Sequence, residues 1–377
     1  MNVGLAFGRN AQRWPRATAL FGVGPERRQV TWAELEARTN RIANTLAGPL
    51  GVEPGDRVAL LVANRPEVVE TLGGITKSGA VYVGLNFRLG PAELDQIIDN
   101  AGPRLLLCDA EHLPQTSDVA ERYGLEVLNI DAEPYRSFVA AGSPRPPGTL
   151  HEVSSQDDFC IVYTSGTTGR PKGVLFDHAR VLQHATVAAL EYEIGPQSRY
   201  LVQIPHNSSV NIAIVPALLM GAALGFRDSR SFEPVGFAEA VQRQEVTHSF
   251  LVPTQLMRLL DGLASADDGR LGGLVTLGYG ASPISPERLG ELVGRFGNVF
   301  TQLYGMAEIA SIGTMLRKED HLRGLAERPE LLASCGRASC AVDVRVVDEE
   351  RSDVAVGERG EVIFGGPYVM KGYYRDP

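Results

Sequence analysis

The chain has 377 residues, which is enough for more than one minimal domain and excludes a small binding module. Hydrophobic residues make up 44% and charged residues 21%, a balance that is typical of globular proteins and argues against a disordered or fibrous chain. The formal net charge is −9 and no cluster of Lys and Arg stands out, so no nucleic-acid partner is expected.

The N-terminal region contains Arg9, Arg13 and Arg16 among its apolar residues, so it lacks the continuous apolar core of a signal peptide. No run of about 18 apolar residues occurs, so no membrane span is predicted. The cysteines are too scattered for a disulfide framework or a zinc site, and we expect buried free thiols in a cytoplasmic protein. They are Cys108, Cys160, Cys335 and Cys340.

The first part of the chain predicts alternating helices and strands. Thr31 and Glu34 have the spacing of a capping box, and apolar residues then recur at helical spacing over 32–48. Strands are predicted at 56–63, 80–86 and 104–110, and further helices at 67–79 and 92–102. This alternation predicts a parallel sheet that is covered by helices on both faces.

The Pro- and Gly-rich stretch 142–148 is the predicted linker between a first αβ lobe, 1–150, and αβ lobes at 158–330 that carry the functional site. Strands are predicted at 159–165, before Phe226 and at 248–254. Short alternating segments at 333–377 predict an antiparallel sheet or a small distorted β-barrel. We therefore expect an α/β fold with layered, mostly parallel sheets and a small β subdomain.

The strongest local motif is YTSGTTGRPKG, which follows a predicted strand and ends at Gly173. Gly166 and Gly169 allow the backbone to wrap around an anion, the neighbouring hydroxyls supply donors, and Lys172 supplies a compact cation. This set of groups suits a polyphosphate, although the composition alone also fits a flexible surface loop. A Walker A loop is excluded, because Pro171 stands at the second glycine position and Gly173 follows the lysine.

A second glycine cluster, LVTLGYGASPIS, ends at Ser285, which is the predicted cap of a helix with Pro286 at its first position. Gly278 and Gly280 begin like a dinucleotide-binding fingerprint. Pro283 occupies the third glycine position, so we do not expect a nicotinamide cofactor.

The third motif, QLYGMAE, runs from Gln302 to Glu308 and places an aromatic ring, a glycine and a carboxylate close together. Such a set can stack on a base and hold Mg²⁺, which usually takes one or two protein carboxylates in addition to phosphate oxygens. Taken alone, a surface turn is the more common structure for a segment of this kind.

In this order and at these separations, the three motifs resemble those of the adenylate-forming superfamily, which includes acyl-CoA synthetases, luciferases and the adenylation domains of peptide synthetases. The segments WAELEARTNRIANTLA and NRPEVVETLGGITKSGAVYVGLN and the closing GERGEVIFGGPYVMKGYYRDP extend the resemblance over essentially the whole chain. The resemblance implies the large N-terminal domain of an acyl-CoA synthetase. It also implies a carboxylic acid substrate, the cofactors ATP, Mg²⁺ and CoA, and possible transfer to a carrier-protein thiol.

The resemblance further implies a role for each matched residue. The loop from Thr164 to Lys172 would bind the terminal phosphates of ATP, and Thr164 with Glu308 would place Mg²⁺. Tyr304 would stack on the adenine, and His206 would lie beside the acyl carboxylate; His206, Glu308 and Lys172 are the implied catalytic residues. The implied ATP- and AMP-binding residues are Thr164, Ser165, Gly166, Thr167, Thr168, Gly169, Lys172, Gly280, Ala281, Ser282, Pro283, Gln302, Leu303, Tyr304, Gly305, Met306 and Ala307. The implied acyl pocket comprises His206, Asn207, Ser208, Ser209, Asn211, Gly278 and Gly280.

Two departures from the family pattern affect the expected chemistry. Ala307 replaces a threonine that contacts the α-phosphate, and losing one hydrogen bond to a charged group costs roughly 1.5–3 kcal/mol, so adenylation is expected to be impaired. Around His206, Pro205 replaces an aromatic residue and Ser209 a glycine, and the wall is unusually polar. This favours an unusual or polar acid, and the uncharged Asn207 disfavours an amino acid.

Three functions therefore stay open: an acyl-CoA synthetase, an enzyme that mainly converts a preformed acyl adenylate into the thioester, and a non-catalytic protein that binds a nucleotide or an acyl adenylate. The chain ends at Pro377, before the family's ribose-binding Asp, hinge and C-terminal domain with its catalytic lysine. We expect a truncated form of a longer enzyme that is nearly inactive alone. Its oligomeric state is not predictable from the sequence.

Overall fold

The structure is a computed structural model, and it describes residues 1–23, 28–164, 170–228 and 230–376. The helices are α1 (Leu5–Arg13), α2 (Trp32–Ala47), α3 (Glu67–Ser78), α4 (Pro91–Ala101), α5 (Ser117–Tyr123), α6 (Glu133–Ala141), α7 (His178–Glu191), α8 (His206–Ser209), α9 (Val215–Met220), α10 (Pro234–Arg243), α11 (Pro253–Gly262), α12 (Pro286–Phe296) and α13 (Lys318–Ala326). The strands are β1 (Thr18–Val23), β2 (Arg28–Thr31), β3 (Arg57–Leu61), β4 (Val81–Gly84), β5 (Leu105–Cys108), β6 (Glu126–Asn129), β7 (Asp158–Thr164), β8 (Lys172–Asp177), β9 (Arg199–Val202), β10 (Ala223–Phe226), β11 (His248–Leu251), β12 (Thr276–Tyr279), β13 (Phe300–Tyr304), β14 (Thr314–Leu316), β15 (Arg337–Ala338), β16 (Asp343–Val347), β17 (Glu361–Gly365) and β18 (Gly372–Tyr373).

The predicted capping box at the start of α2 is confirmed. The Glu34 amide donates to the Thr31 hydroxyl at 3.3 Å, and the Thr31 amide donates to the Glu34 carboxylate at 2.8 Å. Behind this helix, α3 approaches so closely that a methyl group added at Gly74 would lie 2.2 Å from the side chain of Ile42. Glycine at this position therefore lets the two helices pack in direct contact.

One sheet has seven strands in the order β18-β8-β7-β4-β3-β5-β6. The strands β7, β4, β3, β5 and β6 are parallel, and β8 and β18 continue the sheet in antiparallel pairing. Val58 and Leu60 of β3 lie in one hydrophobic core, while Ala59 and Leu61 lie in another. Because alternate side chains of a strand point to opposite faces, both faces of this sheet are buried, as predicted.

The second sheet has nine strands in the order β15-β14-β13-β12-β11-β9-β10-β1-β2. From β13 to β1 the neighbouring strands are parallel, whereas β2, β14 and β15 pair antiparallel. Residues 203–206, 280–283 and 305–308 follow the carboxyl ends of β9, β12 and β13. In open α/β sheets this edge is where ligands bind, and the fold brings the His206 segment and the second and third motifs to it.

The sheets do not follow the predicted division of the chain at 142–148. Strands β1 and β2 join the nine-stranded sheet, and β7 and β8 return to the sheet of β3–β6. The predicted linker is fastened to α2, because Arg41 donates to the Gly142 carbonyl at 2.7 Å and Asn40 to the Pro144 carbonyl at 2.9 Å. Side chains of α2 thus donate hydrogen bonds to the carbonyls of this stretch and hold it against the helix.

The segment after 333 contributes to three sheets. Strands β16 and β17 pair antiparallel, whereas β15 and β18 extend the nine- and seven-stranded sheets. The predicted small β-barrel therefore takes the form of a two-stranded sheet in the described residues, and the expected α/β fold is confirmed.

The prediction of four buried thiols was wrong for two of them. Cys108 and Cys160 are buried within strands, whereas Cys335 and Cys340 are exposed because they flank the short edge strand β15. Among the described helices, none has the length and apolar character that crossing a bilayer demands.

Candidate functional site

A cavity of about 320 Å³ lies between the second and third motifs, at the carboxyl ends of β12 and β13. Residues 281–284 and 302–305, which are distant in sequence, form two of its walls because their strands are parallel neighbours. Residues 332–335 complete the lining. The sequence analysis missed this third wall, since Leu332, Ala333, Ser334 and Cys335 have no motif or charge that marks them.

The backbone itself shapes this cavity. A methyl group added at Gly280 would lie 2.5 Å from the carbonyl oxygen of Leu303, so only glycine allows the chain to pass β13 this closely. The next residue, Ala281, has φ +70, a left-handed conformation that residues with a side chain rarely adopt. Strained backbone of this kind clusters at ligand sites, and here it directs the chain around the cavity.

Tyr304 forms an aromatic wall of the cavity. Its side chain is 40% exposed, and its ring lies 6.2 Å from that of Phe364 at 49°. A flat aromatic ring beside a mostly apolar cavity suits a planar base, as the motifs predict. Met306, two residues on, is 47% exposed, and it lies outside the residues that line the cavity.

The predicted phosphate loop joins β7 and β8. Thr164 is the last residue of β7 and pairs with Lys172, the first residue of β8. The intervening predicted phosphate ligands, Ser165, Gly166, Thr167, Thr168 and Gly169, lie outside the described residues. Strand pairing places Lys172 at the base of the hairpin, where its side chain is about one-third exposed.

Lys172 lies in β8 and Glu308 in the short helix Ala307–Ile309 after β13, yet one side chain contacts both. The Lys172 ammonium lies 4.7 Å from the ring centroid of Tyr373, and the Tyr373 hydroxyl donates to Glu308 Oε1 at 2.6 Å. This hydrogen bond, together with partial burial, raises the pKa of Tyr373 to about 12. Asp376 Oδ2 lies 3.9 Å from the Lys172 ammonium. The sequence analysis missed both Tyr373 and Asp376, for which the only signal was their place in the closing segment of the resemblance.

The donor chemistry of this region fits Mg²⁺. Glu308 and Thr164 offer a carboxylate and a hydroxyl, and Mg²⁺ prefers oxygen ligands and retains several waters or phosphate oxygens. Within the described residues, no group of three or more His, Cys, Asp or Glu side chains converges. Mg²⁺ held by these two groups would complete its coordination with phosphate oxygens and water.

His206 is the first residue of α8 and is fully buried. Its Nδ1 lies 2.8 Å from the hydroxyl of Tyr82, which comes from β4 in the other sheet. Burial lowers the pKa of His206 to about 4, so the ring is neutral near pH 7. A methyl group at Gly84 would lie 2.9 Å from the Tyr82 hydroxyl, so this glycine leaves room for the contact.

The predicted acyl wall follows His206. Helix α8 continues into a π-helix over Val210–Ile214, a rare conformation that is frequent at functional sites. In the part of the chain that the structure describes, the side-chain oxygens of Asn207 and Asn211 are buried and have no hydrogen-bond partner. Ser208 is exposed, and the Ser209 side chain lies outside the described residues. The two carboxamide oxygens are thus buried acceptors without a donor among the described residues.

Aromatic rings pack against Gly278, the remaining residue of the predicted acyl pocket. A methyl group at this position would lie 2.8 Å from the Tyr192 ring and 2.9 Å from the Phe250 ring. The Tyr192 hydroxyl is buried and lacks a hydrogen-bond partner within the described residues. Tyr192 stands at the end of α7, and sequence reasoning missed it because nothing local marks it as part of the wall.

Comparisons with known proteins identify the family of this chain. The chain matches the family of AMP-binding enzymes over residues 7–374. It is 34% identical over 374 residues to a feruloyl-CoA synthase of an Amycolatopsis species, covering 98% of this chain and 71% of that enzyme. It is 29% identical to an indoleacetate–CoA ligase of Aromatoleum aromaticum, covering 100% of this chain and 70% of the ligase. The inhibitor-bound N-terminal domain of FACL13 from Mycobacterium tuberculosis superimposes with a TM-score of 0.88 at 25% identity, covering 100% of this chain and 92% of that domain.

Proposed function

The chain belongs to the family of AMP-binding enzymes and is an AMP-forming acid–thiol ligase, and we propose that its acid carries polar substituents and no α-amino group. CoA ligases of this family use ATP, Mg²⁺ and CoA.

The observation that carries the proposal is the pair of carboxamide oxygens of Asn207 and Asn211, which are buried without a hydrogen-bond partner in the described chain. Leaving a polar group buried and unpaired costs roughly 1–3 kcal/mol, and a ligand donor would remove this cost. An unsubstituted hydrocarbon chain would leave both oxygens unpaired. An acyl group that bears a hydroxyl fits this wall better.

The names of the relatives support an aromatic acid as the first to test. One relative is a feruloyl-CoA synthase, and another is an indoleacetate–CoA ligase. A feruloyl group carries a phenolic hydroxyl and an indole carries an N–H, so both acyl groups supply a donor. The Tyr192 and Phe250 rings beside Gly278 offer the flat apolar contact that an aromatic acyl group requires.

We assign the reaction to this site in two steps. The acid carboxylate attacks the α-phosphorus of ATP and pyrophosphate leaves, while the adenine occupies the cavity beside Tyr304. Lys172 would hold the terminal phosphates, and Mg²⁺ held by Thr164 and Glu308 would supply charge neutralisation. The thiol of CoA then attacks the acyl carbonyl and AMP leaves. Catalysis in this scheme rests on positioning and on charge stabilisation.

The test is the binding of acids in the presence of AMP, measured by calorimetry on the chain. We expect a 4-hydroxycinnamic acid to bind about tenfold more tightly than cinnamic acid, since one hydrogen bond to a buried group contributes roughly 1–1.5 kcal/mol. Asn211→Leu should remove that preference, and Ser208→Ala, at an exposed position on the same helix, should keep it. Equal binding of a hydroxylated and a plain acid by the unaltered chain would exclude a polar acid.

Ala307 favours a second candidate function. It is the first residue of the short helix Ala307–Ile309, and its side chain packs against the hydrophobic core. Because the residue is alanine, it offers a methyl group at the position where the family has a hydroxyl for the α-phosphate. An enzyme with this change would be poor at forming adenylates and would mainly convert a preformed acyl adenylate into the thioester.

A further inference from the structure

The segment 370–374 links the third motif to the strand that carries Lys172. The Met370 amide donates to the carbonyl of Glu308 at 2.7 Å. The Lys371 and Tyr374 amides donate to the carbonyls of Leu175 and Gly173 in β8 at 2.9 and 2.7 Å. Backbone hydrogen bonds therefore hold one end of this segment against Glu308, the predicted metal ligand, and the other end against β8, the strand that carries Lys172.

The side chain of Tyr373 lies between the two functional groups. Its hydroxyl donates to Glu308 Oε1 at 2.6 Å, and its ring lies 4.7 Å from the Lys172 ammonium. The hydroxyl orients one carboxylate, while the ring face attracts and orients one cation. A single rigid side chain thus contacts both groups that are assigned to the triphosphate and its metal ion.

We propose that Tyr373 is a positioning residue that sets the orientation of Glu308 and Lys172 for ATP with bound Mg²⁺. The inference rests on the proposed roles of those two residues. With Oε1 accepting from Tyr373, Glu308 would offer Oε2 to a metal ion. Hydrogen-bond partners of metal ligands commonly change metal affinity by roughly 10- to 100-fold, because they fix the ligand's orientation.

The experiment compares Tyr373→Phe, Tyr373→Leu and the control Tyr374→Phe, which removes a hydroxyl from the next residue of the same segment. ATP binding is measured by calorimetry at increasing Mg²⁺, and AMP binding is measured without Mg²⁺. Tyr373→Phe should need about tenfold more Mg²⁺ for half-maximal ATP binding, while its AMP affinity stays within about twofold. Tyr373→Leu should also bind ATP more weakly at saturating Mg²⁺, because the ring contact to Lys172 is lost.

Three results would contradict this role. If Tyr373→Phe and Tyr374→Phe show the same Mg²⁺ dependence as the unaltered chain, the hydroxyl does not position Glu308. If Tyr373→Phe loses AMP affinity as much as ATP affinity, Tyr373 supports the fold in general. If the unaltered chain binds neither AMP nor ATP, the proposed function itself fails and this inference with it.

Discussion

The adenine cavity and the Lys172–Glu308 region serve the same proposed ligand but are built in different ways. The shape of the cavity depends on the close approach of two neighbouring parallel strands, with Tyr279 of β12 in register with Gln302 of β13, and Tyr304 and residues 332–335 complete its walls. The region around Lys172 is formed by side chains that meet from β8, from the short helix Ala307–Ile309 and from the segment 370–376.

This difference determines how each region responds to change. Where two strands pass this closely, an added side chain is not tolerated, because the neighbouring backbone atoms cannot move aside without displacing a strand. A site made of side chains depends on single hydrogen bonds and on charge, and it responds to small changes in either.

The largest effect is expected from adding a side chain at Gly280. Because a Cβ would lie 2.5 Å from the Leu303 carbonyl oxygen, Gly280→Val must displace one of the two strands. We expect AMP affinity to fall by about 100-fold or more, measured by calorimetry, with a loss of stability of about 3 kcal/mol by chemical denaturation.

Gly294→Ala is the matched control, because a methyl group there meets nothing within 4 Å and Gly294 lies within α12. It should retain AMP binding and gain about 0.5–1 kcal/mol in stability. Normal AMP binding by Gly280→Val would show that the close approach of Gly280 to Leu303 is not required for the cavity.

Removing the charge of Glu308 tests the region built from side chains. Glu308→Gln keeps the size of the side chain but replaces a carboxylate oxygen with an amide, which is a poor ligand for Mg²⁺. We expect the Mg²⁺ concentration for half-maximal ATP binding to rise roughly 10- to 100-fold, measured by calorimetry, with AMP affinity unchanged. An equal loss of AMP and ATP binding would mean that Glu308 shapes the adenine cavity instead.

Ala307 lies at the junction of the two regions, between Tyr304 and Glu308. Ala307→Thr restores a hydroxyl for the α-phosphate and, in the full-length enzyme that the sequence analysis expects, should raise acid-dependent exchange of pyrophosphate into ATP by about tenfold or more. Ala338→Thr adds the same hydroxyl at an exposed position in β15 and should leave exchange unchanged. If neither variant changes the rate, the missing threonine does not limit adenylation.

The smallest effect is expected at Asp376, whose carboxylate lies 3.9 Å from the Lys172 ammonium and is about half exposed. Exposed ion pairs contribute little, so Asp376→Asn should strengthen ATP binding by only about two- to threefold as Lys172 loses a competing anion. The gain should shrink as salt is raised, because the charges are screened. A gain that is independent of salt would point to a change in shape at this position.

Local features of the chain were predictable from the sequence. The capping box of Thr31 and Glu34, the helix cap at Ser285 and the alternation of α3, β4, α4 and β5 are all found in the structure. The fold class and the family followed from the order of the three motifs, and both are confirmed. The caps and the alternation of elements depend on residues a few positions apart, whose conformational preferences are largely independent of the rest of the chain.

Only the tertiary structure decided which strands share a sheet and which side chains meet. Strands β1 and β2 share a sheet with β10, and β7 pairs with β4. Both sheets therefore contain strands from each side of the division predicted at 142–148. The tertiary structure also supplied the third wall of the cavity at 332–335 and the contacts of Tyr373 with Lys172 and Glu308. Such contacts join residues far apart in sequence and result from the packing of whole elements, for which no local pattern exists.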